Sequence, residues 1–224
     1  MDADDTLFDF GKCESDALRA VLRGEGLPDG DEIIAEYSRI NLGFWKMLER
    51  REITKDRLKY ARFEEFVKYF DFYADPAVLA DGYAEGLAFQ HSLLPGAEET
   101  CRILSKDRRI YVITNGIGTV QQRRIAESGL SGYFSGVFVS ELLGAEKPSP
   151  VFFEQAAKQI PGFDPAAALV VGDSISSDIR GGIGFGLDVC WVNMKNETPP
   201  DGLAINYTVR SVSELPALLE SLGR

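Results

Sequence analysis

The chain opens on DADDT, residues 2–6, and so places two carboxylates, Asp2 and Asp4, two residues apart. At the end of a β-strand such a pair projects from the same side of the backbone. One carboxylate can then bind a cation and attack an electrophile while its neighbour moves protons. Three further groups have complementary chemistry. In ITNG, Thr114 and Asn115 directly follow an apolar run, where a hydroxyl and backbone N–H groups can hold an oxyanion. In EKP, Lys147 precedes a proline that fixes a turn and a helix start. Its cation can neutralise a phosphoryl oxygen and keep Asp2 ionised. In VVGDSISSD, Asp173 and Asp178 follow another apolar run and offer the carboxylate oxygens that a hard cation prefers. Magnesium would need few of them, because it keeps waters and takes an oxygen from a bound phosphate. Each group alone carries little information. Their order along the chain, each after an apolar segment, carries much more.

These groups need strands to hold them. Short β-branched runs at 109–114, 136–140, 168–172 and 188–193, with a weaker one at 206–209, predict five. Amphipathic stretches near 97–107, 118–129, 150–160, 177–184 and 212–222 predict helices around them. Strands alternating with helices imply βαβ units, a mostly parallel sheet and ligands at the carboxyl ends of the strands. Residues 12–91 differ in texture: helical in period, rich in charge and aromatics, with Thr54 placed to N-cap a helix. The expected fold class is therefore α/β, with a Rossmann-like, mostly parallel sheet core from 1–11 and 92–224. An inserted helical domain at 12–91 interrupts it, and Pro95 and Gly96 mark the return to the core.

Composition narrows the partners. The net charge of −11, from 35 acidic and 24 basic residues, argues against a nucleic-acid polymer or an anionic membrane. A small anion remains compatible, since one metal ion and one lysine can reverse the potential within a cleft. Cys13, Cys101 and Cys190 form no CxxC pair, so reduced thiols and a cytoplasmic setting are expected rather than disulfides or a zinc site. No basic segment leads into an apolar stretch, and no apolar run reaches membrane-spanning length.

In the order DxDxT, strand-end Thr, Lys-Pro and GDSxxxD, the whole chain resembles the haloacid-dehalogenase superfamily. The position of the insertion matches the subclass with a helical C1-type cap between the first two motifs. The resemblance implies that Asp2 is a nucleophile, that Asp4 is general acid and base, and that Thr114 and Lys147 orient and neutralise phosphoryl oxygens. It implies Mg2+ held by Asp2, the main-chain carbonyl of Asp4 and Asp173, with Asp178 as a further ligand or an orienting residue. It also implies that the cap opens and closes over the site. Dehalogenating relatives lack an acid at the Asp4 position, because halide leaves without a proton. Asp4 thus points to hydrolysis of a small phosphate monoester through an aspartyl phosphate.

Within the superfamily, INLGFWKMLERREIT, ITNGIGTVQQRRIAESGLSGYF, VSELLGAEKP and CWVNMKNETPPDG resemble bacterial pyrimidine 5′-nucleotidases. That implies a nucleoside monophosphate substrate, with Asn41, Arg62 and Asn115 as polar side chains for a base or sugar edge. Phe44, Trp45, Tyr60 and Phe63, at helical spacing, read mainly as packing for the helical domain. A generalist phosphatase of sugar phosphates or phosphoglycolate would share all four motifs. A regulatory binding protein of the same fold would have no need of Asp2, Asp4, Lys147 and Asp173 together. One feature conflicts with the pattern. The first motif should end a central apolar strand, yet only Met1 precedes Asp2, so several more apolar residues are expected upstream.

Overall fold

Residues 10–90 have helical periodicity and no strand-forming run, and they fold as helices. In the computed structural model, which describes residues 1–223, these are α1 (Phe10–Gly24), α2 (Asp31–Glu49), α3 (Lys55–Phe70) and α4 (Pro76–Ala88). Local chemistry sets their ends. Thr54 accepts a hydrogen bond from the Arg57 N–H at 3.3 Å as the N-cap of α3. Asp75 caps α4 by accepting from the Ala77 N–H at 2.8 Å, and Pro76 occupies the first turn, where no N–H is needed. Gly11–Gln90 form one compact unit with an aromatic interior. The Tyr37 ring centre lies 5.0 Å from that of Phe63, 5.3 Å from Phe66 and 5.4 Å from Tyr83. Tilted and edge-on pairs of this kind add to the stabilisation from burial alone.

The second unit consists of Met1–Phe10 and the chain from His91 onward. Its elements are α5 (Ala97–Leu104), β1 (Ile110–Thr114), α6 (Gly118–Glu127), β2 (Phe134–Val139), α7 (Ser140–Leu143) and α8 (Pro150–Gln159). There follow β3 (Leu169–Gly172), α9 (Arg180–Gly184), β4 (Asp188–Val192), β5 (Tyr207–Val209) and α10 (Leu215–Ser221). β1 pairs with β2, and β3, β4 and β5 pair in that order, all parallel. Side chains alternate across the pleat, so each buried strand supplies two apolar layers. Ile110, Val112, Val171, Cys190 and Val192 join one layer with Cys101 of α5 and Leu215 of α10. Ile113, Phe138, Val170, Val189 and Trp191 join the other with Phe152 and Phe153 of α8.

Where the sequence predicts a central strand, the Met1–Asp2 dipeptide links the two pieces of the sheet. The Met1 amino group donates to the Tyr111 carbonyl at 2.7 Å, and the Ile113 N–H donates to the Met1 carbonyl at 2.9 Å. On the other side, the Asp2 N–H donates to the Val171 carbonyl at 2.8 Å. Asp2 is thus fixed by its backbone near the carboxyl ends of β1 and β3. Met1, Ile110, Tyr111, Val170, Leu215 and Leu219 help to line an apolar cavity of about 630 Å³ whose wall includes none of Asp2, Asp4, Asp173 or Asp178.

The two chain crossings beside the helical insertion are also tied together. The Asp9 N–H donates to the Ser92 carbonyl and the Leu94 N–H to the Leu7 carbonyl, each at 2.9 Å, with Phe8 opposite Leu93 in antiparallel sense. Cys13, Cys101 and Cys190 are buried and not joined in a disulfide. Among the described residues, no helix is long and apolar enough to cross a membrane.

Candidate active site

The acidic motif after β3 depends on a missing side chain. A Cβ on Gly172 would lie 2.4 Å from the Asp178 Cγ and 2.6 Å from its Cβ, so only glycine lets Asp178 fold back over the strand end. The widened helical turn Ile175–Ile179 brings it there, and the Asp178 Oδ2 accepts from the Ser174 N–H at 3.2 Å. The other oxygen, Oδ1, meets Lys147. Lys147 is 2% exposed and uses all three of its N–H bonds inside the site. Its Nζ donates to Asp2 Oδ1 at 2.6 Å, Asp178 Oδ1 at 2.7 Å and the Ile113 carbonyl at 3.0 Å. Burial works against this cation, but the carboxylates of Asp178 and Asp2 more than offset it and hold its pKa well above that of an ordinary lysine.

Asn115, expected from the sequence to meet a base or sugar edge, has both ends of its amide on the Lys147 backbone. Its Nδ2 donates to the Lys147 carbonyl and its Oδ1 accepts from the Lys147 N–H, both at 2.9 Å. The Thr114 hydroxyl accepts from the Gly116 N–H at 3.0 Å and keeps its own proton available to donate. Asp173 is oriented from two sides: the Trp191 Nε1–H donates to its carbonyl at 2.8 Å, and the Thr6 hydroxyl reaches its Oδ1 at 3.5 Å.

Asp2, Asp173 and Asp178 each present a carboxylate oxygen, and these three lie within 4.8 Å of one another. Lys147 bonds to two of the three. Burial, followed by the charges of Asp2 and Asp178, pushes the Asp173 carboxyl up to about 9. Burial also pushes Asp2 up to about 7 in spite of Lys147. Three carboxylates share one ammonium here, and the oxygens they offer are hard donors, which suits Mg2+. This has a measurable result. An acid whose folded pKa is raised binds protons more tightly when folded, so its contribution to stability is present below the usual carboxylate value. It is lost as pH rises through the folded value. In chelator, Tm should therefore fall between about pH 4 and pH 9. Excess Mg2+ should flatten the fall, adding about 2.7 kcal/mol at a hundred times its Kd. A Tm profile that is the same with and without Mg2+ would argue against a metal at these carboxylates.

The Asp4 carboxylate does not join the cluster. Its Oδ2 accepts from Gln121 Nε2 at 2.5 Å and its Oδ1 from Arg124 Nη1 at 2.6 Å. Neither partner stands out in the sequence, although both follow ITNG at a spacing of three, on one face of α6. Asn41 and Arg62 lie in the helical unit, each 2% exposed. Asn41 Nδ2 donates to Glu14 Oε1 at 2.6 Å, and Arg62 Nη1 donates to Asn41 Oδ1 at 2.7 Å. The Arg62 guanidinium lies over the Tyr83 ring, 4.9 Å from its centre. Asn41 and Arg62 are thus bonded within their own unit, where Arg62 Nε and Nη2 are buried without a hydrogen-bond partner among the described residues.

Residues 1–186 match the haloacid dehalogenase-like hydrolase family. The chain is 35% identical to the HAD-hydrolase YfnB of Bacillus subtilis over 221 residues, covering 98% of this chain and 93% of that protein. A crystal structure of YfnB bound to magnesium, described as revealing interdomain movement, superposes with a TM-score of 0.92 over 97% of this chain and 96% of that one. The pyrimidine 5′-nucleotidase PynA of Streptococcus pneumoniae is 38% identical over 86% of this chain and 82% of its own length. The pyrimidine 5′-nucleotidase YjjG of Escherichia coli is 33% identical over 98% of this chain and 96% of its own.

Proposed function

The chain belongs to the haloacid dehalogenase-like hydrolase family, and from that premise we propose that it is a magnesium-dependent 5′-nucleotidase acting on pyrimidine nucleoside monophosphates. The observation that carries the reading is the Lys147 ammonium held between Asp2 and Asp178, with Asp173 beside them. An ionised carboxylate with a fixed cation at its side is an oriented nucleophile next to a site for phosphoryl oxygens. The substrate class rests on the two nucleotidases that are 38% and 33% identical to this chain over the aligned residues.

In the first step an Asp2 oxygen bonds to phosphorus as the bond to the nucleoside 5′-oxygen breaks, and Asp4 gives its proton to the departing alkoxide. In the second, Asp4 takes a proton from water, whose oxygen attacks phosphorus and restores the free Asp2 carboxylate with release of inorganic phosphate. The Thr114 hydroxyl donates to a phosphoryl oxygen, and Lys147, whose three N–H bonds go to Asp2, Asp178 and the Ile113 carbonyl, offsets the phosphoryl charge from beside the attacking oxygen. Asp2, Asp173 and the Asp4 main-chain carbonyl would hold Mg2+, whose charge neutralises the transferring group; Asp178 orients Lys147. A generalist phosphatase would use the same groups, so the test is a panel. UMP, dUMP, dTMP, AMP, phosphoglycolate and sugar phosphates should be assayed with Mg2+ and with chelator. We expect pyrimidine monophosphates to give the highest kcat/KM and chelator to abolish activity. Equal, slow turnover of every ester would overturn the substrate assignment.

A further inference from the structure

Asp4 carries a proton twice in the proposed cycle, so its two oxygens must keep their directions through both steps. Gln121 and Arg124 supply one donor to each oxygen, at 2.5 and 2.6 Å, and each oxygen retains a lone pair for substrate or water. Both partners are themselves immobilised. Arg124 is fully buried and Gln121 is 2% exposed, whereas the Asp4 side chain is 24% exposed and accessible. The Arg124 guanidinium lies over two rings, 4.8 Å from the centre of Phe8 and 5.9 Å from that of Phe10. Gln121 reaches Asp4 through space left by Gly116, where a Cβ would sit 2.6 Å from the Gln121 Cγ and 2.3 Å from its Nε2.

We propose that Gln121 and Arg124 are positioning residues for proton transfer by Asp4, and that the glycine of ITNG is present to admit Gln121. The inference rests on the two-step reading above. Gln121 Oε1 is buried without a hydrogen-bond partner among the described residues while Nε2 reaches Asp4, so placing this donor costs stability that packing of the helix alone does not require. The pair ties the acid to α6, the helix that follows β1 and the ITNG turn.

The test separates proton transfer from fold. Gln121→Leu and Arg124→Met keep much of the side-chain volume and remove the donors; Arg124→Lys restores a single donor. For UMP with Mg2+, kcat should fall roughly 10²-fold in the first two variants, the range of general acid–base catalysis. KM should stay within about threefold, as expected when transition-state contacts alone are lost, and Arg124→Lys should recover part of the rate. p-Nitrophenolate leaves without a proton, so the variants should still release a rapid burst of it from p-nitrophenyl phosphate and then stall as the phosphoenzyme accumulates. Loss of burst and steady state by the same factor, or an unchanged kcat on UMP, would overturn the assignment. Should Arg124→Met fail to fold, Gln121→Leu carries the same contrast. Failure of the underlying reading has a different signature, namely a wild-type enzyme that forms no phosphoenzyme at all.

Discussion

Replacing Asp2 with asparagine should lower hydrolysis by at least about 10⁴-fold, the scale of losing a covalent nucleophile. The substitution conserves volume, and the backbone bonds from Asp2 to Val171 and from Ile113 to Met1 do not involve the side chain. Fold and phosphate-ester binding should therefore survive. Acid quenching of the wild-type enzyme during turnover should trap a phosphoryl adduct on the peptide that contains Asp2, and the variant should show none. Hydrolysis by Asp2→Asn within tenfold of wild type would eliminate the covalent route.

The second large effect is expected at Lys147. Lys147→Met keeps the length of the side chain but leaves Asp2 and Asp178 buried without their shared cation. Removing one partner of a buried ion pair costs about 3–5 kcal/mol, and removing a group that stabilises transition-state charge lowers kcat by roughly 10²–10³-fold. The two losses should respond differently to conditions. Protonating the orphaned carboxylates at low pH, or adding Mg2+, should recover stability, while kcat stays low because no cation returns to the Lys147 position. A variant as stable as wild type in chelator at pH 8 would contradict the ion-pair assignment.

The strands were the most legible part of the molecule. RIYVIT and ALVVG are apolar on both faces because both faces are covered, and the structure has β1 at Ile110–Thr114 and β3 at Leu169–Gly172. Motif residues at strand ends could be placed for the same reason, since a strand fixes where its last residue points. Side chains whose partners lie far along the chain were less legible. The Asn115 amide spans 32 positions to the Lys147 backbone, a pairing that no local pattern encodes. Gln121 and Arg124 look like two polar residues on an exposed helix until Phe8, Gly116 and Asp4 are placed around them. Asn41 and Arg62 read as groups for a ligand because the sequence does not reveal that Asn41 donates to Glu14, 27 positions earlier, and that Arg62 donates to Asn41.

The short antiparallel pairing of Leu7–Asp9 with Ser92–Leu94 has a consequence for inheritance. It closes the backbone before the helical insertion begins, so the core meets that insertion as a cassette with ready-made joints. Closing a loop of twice the length costs only about 0.6 kcal/mol more, so a shorter or longer replacement for Gly11–Gln90 would hardly tax the core. Asp2, Asp4, Lys147, Asp173 and Asp178 all come from the unit outside the cassette. Recombination at those joints could therefore exchange everything the insertion contributes in one event and pass the acid cluster and its lysine on intact.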